Sequence, residues 1–168
     1  GAAVGDNPQG QLPARSWPAV VLVAAWYHPL GVKTEGTVVA VGYNPYGQLN
    51  VGSWTDIVQV AAGGDHTLGV KSDGTVVAVG RNNCGQTNVG GWTDIVQVAA
   101  GGHHTVGLKS DGTVVAVGNN YYGQCYLFDW NLMVKDKNPI AEIIGTWSSG
   151  IRYRDVAESS WTQMWPTP

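Results

Sequence analysis

The sequence predicts an all-β protein, a β-propeller or partial propeller of four-stranded antiparallel blades with a 38-residue repeat. First, residues 54–87 and 92–125 are near copies that differ at only seven of 34 positions. Second, His28, His66 and His104 recur at a constant interval of 38 residues. Third, short segments rich in β-branched residues alternate with glycine-containing turns, without helical periodicity. Several such units in succession close naturally into a propeller.

The first copy of the repeat is the most divergent one. Residues 4–12 already match residues 41–49, so the pattern opens partway through a repeat. Before the first repeated histidine, Ala25 and Trp26 stand where the later copies have two glycines, and Glu35 stands where they have aspartate. The three copies are therefore equivalent in outline, and the first departs most from the common sequence.

The second copy shows how each repeat is expected to fold. Segments 57–61 and 75–79 are rich in β-branched residues and are bounded by Gly or Asp-Gly, which is typical of strands. Asp73 and Gly74 separate segment 68–71 from segment 75–79 and predict a hairpin, because glycine accepts the positive φ that such a turn requires. Strands at this close spacing exclude a βαβ fold.

The repeat pattern stops after Gln124, which divides the chain into residues 1–125, with the repeats, and residues 126–168. The second part is long enough for one more β unit of a different sequence type, a divergent blade. Its strand-like segments are 142–147, 151–156 and 161–165.

Composition and charge argue against several function classes. A net charge of −3 disfavours nucleic-acid binding, which needs clustered Lys and Arg. No apolar run approaches the roughly 20 residues of a membrane span. A charged fraction of 12% with 24 glycines and eight tryptophans favours an extracellular or cell-surface protein of bacterial type, although no initiator Met or signal peptide is recognisable. Cys84 and Cys125 are the only cysteines, and they fit either two free thiols or a bridge between adjacent repeats.

The repeated motif resembles a known one. Within residues 2–125, Val-Ala-Ala-Gly-Gly-x-His-Thr followed by Lys-Ser-Asp-Gly-Thr-Val-Val-Ala-Val-Gly-x-Asn-x-x-Gly-Gln resembles the regulator of chromosome condensation repeat. The resemblance implies a propeller, which in that family commonly has seven blades and a blade shared between terminal strands. Three full copies and a half are too few for such a ring. A fragment, a ring completed by several chains, or a tail that substitutes for a blade would each account for this.

The tail resembles a different propeller repeat. Residues 143–164 are similar to a single FG-GAP or tachylectin-like unit, a family in which an Asp-rich loop binds calcium. Here the corresponding segment 136–142 is two residues short and lacks the central Asp-Gly. Because calcium takes about six to eight oxygen ligands, neither a calcium site nor another cofactor is expected.

The repeated histidines are expected to be structural, each bonded to backbone groups of its own blade. One histidine in each blade is too widely spread to converge on a metal ion. His103 and His104 are neighbours in a predicted strand and point to opposite faces, so they do not form a metal pair. Asp65 and His66 fail as a catalytic dyad for the same reason. With no nucleophile–base set and no zinc spacing, the sequence predicts no enzyme.

The differences between the near-identical repeats indicate a recognition surface. Two of the seven exchange Leu and Val, as a packed core permits. The other five lie just before the repeated histidine, or in and beside the Gly-x-Asn-x-x-Gly-Gln loop. A rigid scaffold with variable, aromatic-rich loops is suited to binding a protein. The predicted partner-binding residues are Trp26, Tyr27, Tyr43, Tyr46, Asp65, Arg81, Asn83, His103, Tyr121 and Tyr122. Alternatively, neutral sequence changes accumulate in the loops, and the tyrosines shield the edges of the blades.

The leading hypothesis is a non-catalytic scaffold that recognises a protein partner. The resemblance supports it, because secreted propeller inhibitors of β-lactamase carry the same repeat and look to be used in this way. One alternative is a carbohydrate-binding, lectin-like module that uses the tail aromatics Trp147, Tyr153, Trp161 and Trp165. Another is a surface or filament component that self-associates through an open repeat edge to complete the ring. The acidic balance and the lack of a recognisable insertion argue against nucleotide exchange.

Overall fold

A computed structural model of the chain describes residues 17–127, 144–145, 151–154 and 161–163. Within these residues the protein consists of short β-strands and turns, without a helix. The strands are β1 (Val20–Ala24), β2 (Leu30–Lys33), β3 (Val38–Ala40), β4 (Ile57–Ala62), β5 (His66–Lys71), β6 (Val76–Gly80), β7 (Ile95–Ala100), β8 (His104–Lys109), β9 (Val114–Gly118), β10 (Ile144–Gly145), β11 (Ile151–Arg154) and β12 (Trp161–Gln163). The all-β prediction is confirmed.

The strands form four antiparallel sheets, each made of three consecutive strands. The three repeats supply β1–β3, β4–β6 and β7–β9, and the tail supplies β10–β12. Each sheet has three described strands where four were expected. The reason is local: Gly80 ends β6 with a φ of +107°. Beyond it, Arg81 N still donates to the Asp65 carbonyl, but Cys84 N and Thr87 N are bound by the Gln86 and Asn82 side chains of the loop and not by a neighbouring strand.

Each predicted tail segment contains one strand of the β10–β12 sheet. The similarity of the tail to an FG-GAP or tachylectin-like unit stays a prediction, and so does the division of the chain at residue 125. Segment 136–142, the counterpart of a calcium loop, lies outside the described residues.

The hairpin predicted at Asp73 and Gly74 joins β5 to β6. Gly74 has a φ of +80°, and the Lys71 N–H donates to the Thr75 carbonyl over 2.9 Å. The Asp73 carboxylate accepts hydrogen bonds from the hydroxyl and the backbone N–H of Thr75, which lower the pKa of Asp73. Asp111 makes the equivalent bonds between β8 and β9. The turn is therefore determined by neighbouring residues in the sequence.

A tryptophan packs against the middle strand of each repeat sheet. In the second sheet, the backbone of Gly69 faces the Trp54 indole so closely that a Cβ would lie 2.9 Å from the ring carbons. The same relation holds for Gly31 with Trp17 and for Gly107 with Trp92. A middle-strand glycine is thus a packing requirement of each repeat.

The hydrophobic core lies between consecutive sheets. One cluster joins side chains of β2 and β3 to Ile57 and Val60 of β4. The next cluster joins side chains of β5 and β6 to Ile95 and Val98 of β7. The second sheet therefore packs one face on the first sheet and the other face on the third sheet, as blades do.

The first strands of consecutive sheets also meet directly. Gly64 N donates to the Gly101 carbonyl over 3.2 Å, and Val98 N donates to the Gln59 Oε1 over 2.9 Å. Sheets that pack face to face and converge at their first strands have the geometry of a partial β-propeller.

The first repeat is one residue shorter than the second repeat ahead of its histidine. In the ladders, Ala24 lies opposite Leu30 as Ala61 lies opposite Leu68. Ala24 and Ala61 are 37 residues apart, whereas Leu30 and Leu68 are 38 apart. Strand pairing therefore does not align Ala25 with the first glycine of the later copies. The expected equivalence of Ala-Trp with Gly-Gly is wrong, because one residue is missing from the turn.

Candidate interaction face

The loop after each third strand is a compact turn that one Asn and one Gln hold in shape. In the second repeat, Asn82 Oδ1 accepts a hydrogen bond from Thr87 N over 3.0 Å. Gln86 is fully buried, and its Oε1 accepts from Cys84 N over 2.9 Å. Gly85 has a φ of +81°, which favours glycine. These bonds explain the recurring Asn-x-x-Gly-Gln motif and leave its two middle residues at the tip.

The same scaffold recurs in the other two repeats. Asn44 accepts from Leu49 N over 2.9 Å, and Asn120 accepts from Cys125 N over 2.8 Å. The buried or half-buried Gln48 and Gln124 again bind the second tip residue. The tip residues are Pro45 and Tyr46, Asn83 and Cys84, and Tyr121 and Tyr122. The backbone of each tip is fixed while its side chains change from repeat to repeat.

The other variable positions form one pair in each repeat sheet. A glycine, Gly42, Gly80 or Gly118, lies at or just beyond the end of the third strand of each sheet. The N–H of the residue after this glycine donates a hydrogen bond to the backbone carbonyl of the residue before the repeated histidine. The pairs are Tyr27 with Tyr43 (3.3 Å), Asp65 with Arg81 (2.8 Å), and His103 with Asn119 (2.8 Å). Because His66 pairs with Gly80, this pair and the tip loop lie at the same end of the sheet.

The first tip is joined to the variable pair of the second repeat. The Arg81 guanidinium donates to Asp65 Oδ2 over 3.1 Å and lies over the Tyr46 ring, 5.0 Å from its centre. The hydrogen bond to Asp65 raises the pKa of Arg81. A cation between a carboxylate and an aromatic face is held at two points, so this part of the surface is pre-organised.

The third tip carries the two most exposed tyrosines of this end of the sheets. Tyr121 and Tyr122 are 81% and 87% exposed, and their rings meet edge to face with centres 4.8 Å apart. Tyr121 N donates to Asn119 Oδ1 and Tyr122 N donates to Gln124 Oε1. The backbone under both rings is therefore anchored while the rings stand in solvent.

The structure brings seven of the ten predicted binding residues into three groups. Their role in binding a partner stays a prediction. The groups are Tyr46 with Asp65 and Arg81, Trp26 with Tyr27 in edge contact, and Tyr121 with Tyr122. Tyr43 joins the second group through its backbone bond to Tyr27, and Asn83 and His103 are exposed within their own repeats. Sequence reasoning missed the shaping role of Gln48, Gln86 and Gln124, although their recurrence was a signal.

His28 and His66 bond the next sheet and not the backbone of their own sheet, which corrects the sequence-based expectation for these two histidines. His28 Nε2 lies 2.8 Å from Thr67 Oγ1, and His66 Nε2 lies 2.9 Å from Thr105 Oγ1. Each threonine hydroxyl donates its single proton to the carbonyl of Gln48 or of Gln86. The hydroxyl must therefore accept from an Nε2–H. The histidine crosses from one sheet to the next as a neutral, Nε2-protonated ring.

Burial keeps these rings neutral. It lowers the pKa of His66 to about 4, with smaller contributions from His28 and His104, and it also lowers the pKa of His28. His66 Nδ1 is buried without a hydrogen-bond partner, so no acceptor stabilises a second proton. The part of the chain that the structure describes contains no group of three or more metal-ligating side chains. The geometry assigns these histidines a structural role.

Cys84 and Cys125 are free thiols, so the alternative of a bridge between repeats is not realised. The Cys125 thiol donates to the Asn119 carbonyl over 3.4 Å, and burial raises the pKa of that thiol. The glycan site predicted on Trp147, Tyr153, Trp161 and Trp165 falls outside the described side chains. In the described ranges, no helix is long and apolar enough to cross a membrane.

Comparison with known proteins agrees with this architecture. Residues 57–86 and 95–124 match the model of the Regulator of chromosome condensation (RCC1) repeat. No curated protein matches the sequence significantly.

Several solved structures share the fold. Prp20p from Saccharomyces cerevisiae, studied for its binding to Gsp1p and histones, is 23% identical with a TM-score of 0.55 over 63% of this chain and 32% of its own. The same yeast RCC1 bound to Kap60 is 23% identical with a TM-score of 0.51 over 59% of this chain and 29% of its own. Human WBSCR16 is 22% identical with a TM-score of 0.61 over 84% of this chain and 48% of its own. The chain spans less than half the length of each. Residues 57–86 and 95–124 thus match the RCC1 repeat, and the described sheets have the fold of part of an RCC1-like β-propeller.

Proposed function

We propose that this chain is a non-catalytic scaffold that recognises a protein partner through one end of its sheets. This surface, the tip face, consists of the three loop tips, the three variable pairs and Trp26, which contacts Tyr27. Its members are Trp26, Tyr27, Tyr43, Pro45, Tyr46, Asp65, Arg81, Asn83, Cys84, His103, Asn119, Tyr121 and Tyr122. RCC1-like propellers are typically protein-interaction scaffolds, and the tip face is where this chain varies.

One observation carries the proposal: most of the substitutions between two near-identical repeats fall on the tip face. Four of the seven differences between residues 54–87 and residues 92–125 fall on its variable pairs and tips. The residues that hold the tips, such as Asn82 and Gln86, are unchanged in the next copy. Constant support under changeable side chains is what a recognition surface requires.

The chemistry of the face also suits a protein. Its exposed side chains are mainly tyrosines, which give a large contact area at a small cost in side-chain entropy. Its Asp65 and Arg81 neutralise each other. The yeast relative was solved bound to Kap60 and was studied with Gsp1p and histones, which supports a protein partner here.

Affinity capture with a variant series tests the proposal. The immobilised whole chain is compared with Tyr121→Ala/Tyr122→Ala, with Trp26→Ala, and with a control at the opposite end of the sheets, Lys71→Ala/Lys109→Ala. Each aromatic replacement should weaken a captured partner by more than about 1 kcal/mol, and the control should retain it. Binding that survives the tip variants but not the lysine variants would place the interface at the other end.

A second candidate function is self-association that supplies a further blade. In the strand ladders Val23 faces Gly31 as Val60 faces Gly69, yet Val23 is 68% exposed while Val60 is 8% exposed. Val60 is covered by the sheet before it, whereas no described sheet covers Val23. Light scattering after size exclusion should then give a multiple of the 17.8 kDa mass for the wild type and the monomer mass for Val23→Glu. A wild-type monomer at all concentrations argues against self-association.

A secreted or cell-surface location in a bacterial-type protein is part of the proposal and rests on composition alone. Fractionation of the source cells with an antibody to the chain tests it, and recovery only in the cytosolic fraction contradicts it.

A further inference from the structure

Tyr46 and Tyr122 occupy the same position of the tip loop in the first and third repeats, 76 residues apart. Tyr46 has the Arg81 guanidinium 5.0 Å from its ring centre and is 45% exposed. Tyr122 is 87% exposed, and among the described residues its only ring neighbour is Tyr121. One tip tyrosine therefore has a cation on its face, and its equivalent has none in the described part of the chain.

The third tip is already arranged for such a cation. The backbone N–H of Tyr122 is bound by Gln124 Oε1, as that of Tyr46 is bound by Gln48 Oε1. The Tyr121 ring stands at 88° to the Tyr122 ring and supports it. A fixed, solvent-exposed aromatic face attracts a guanidinium, which stacks on it better than the compact lysine ammonium does.

The local charge also favours a cation. In the three repeat sheets, Arg81 is the one Lys or Arg at the tip face, and it is neutralised by Asp65. The lysines of these sheets lie at the opposite, hairpin end, as Lys71 and Lys109 do. The whole chain carries a net charge of −3. An incoming arginine therefore meets little repulsion at the third tip.

Resting on the proposed function, we infer that the third tip receives an arginine side chain of the protein partner. The arginine stacks on Tyr122 as Arg81 stacks on Tyr46. Partners are then proteins that present an arginine on a protruding loop.

A phage-displayed library of disulfide-constrained heptapeptides, selected on the whole chain, tests this inference. Clones that lose binding on Tyr122→Ala and keep it on Tyr122→Phe should be enriched in Arg over the unselected library. In a synthetic copy of such a clone, replacing Arg by the isosteric, uncharged citrulline should weaken binding roughly 3- to 30-fold on the wild type. The same replacement should not further weaken the residual binding of the peptide to Tyr122→Ala.

The other outcomes separate the two proposals. Clones that depend on Tyr46 or Tyr122 but carry no arginine preference overturn this inference and leave the tip face as the binding surface. A library that yields no clone sensitive to any tip-face substitution contradicts the proposed function itself. Peptide affinity that rises in Arg152→Gln or Arg154→Gln would show that a tail arginine already covers Tyr122, which also overturns the inference.

Discussion

Acidification should destabilise this protein through His66. The folded-state pKa of His66 is about 4, below its ordinary value of 6.5, because burial disfavours the charged ring. Below pH 6.5 the unfolded chain therefore binds a proton that the folded chain does not. The stability is complete above 6.5, falls as the pH drops from 6.5 to about 4, and levels off below that.

The size of the effect follows from the two pKa values. Each pKa unit corresponds to about 1.4 kcal/mol, so the difference between 6.5 and about 4 costs at most about 3 kcal/mol of the free energy of unfolding. Such a loss is a large share of the stability of a typical domain. The lowered pKa of His28 acts in the same direction.

Urea unfolding at a series of pH values, followed by tryptophan fluorescence, measures this loss in wild type and in His66→Gln. Glutamine keeps an amide donor near Thr105 but does not titrate, so the difference between the two curves isolates His66 from the carboxylates common to both. Long-range ¹H–¹⁵N spectra of the imidazole should show the Nε2-protonated tautomer at neutral pH. Equal pH slopes in both proteins, or His66 titrating near 6.5 in the folded state, would refute the reasoning.

Three further predictions concern stability. Thr105→Val should lower the free energy of unfolding in urea by roughly 2–4 kcal/mol, because it leaves the His66 Nε2–H and the buried Gln86 carbonyl without a hydrogen-bond partner. A loss below about 0.5 kcal/mol would mean that the bond contributes little. Gly69→Ala should cost about 1–3 kcal/mol and lower the melting temperature, since the new methyl group meets the Trp54 indole; an unchanged melting curve would contradict this packing. Asn82→Ala should cost about 1 kcal/mol and speed amide hydrogen exchange in its own tip loop, and unaltered exchange would show that the loop holds without it.

Much of the fold could be read from the sequence because the responsible interactions are local. The Asp73-Gly74 turn is closed by bonds between residues at most four positions apart. The Asn-x-x-Gly-Gln loop is likewise closed by side chains that bind backbone groups within five positions. Such bonds form wherever the motif occurs, so repetition of the motif predicts repetition of the structure.

The candidate site was only partly predictable, because its grouping depends on how consecutive sheets are placed. The variable positions could be identified by comparing copies. The stacking of Arg81 on Tyr46, 35 residues earlier, could not, and neither could the bond from His66 to Thr105, 39 residues later. The sequence by itself determined the repeats, their strands and their turns. Only the tertiary structure decided the three-stranded sheets, the shortened first repeat and the contacts between sheets, because these depend on the register and packing of segments far apart in the chain.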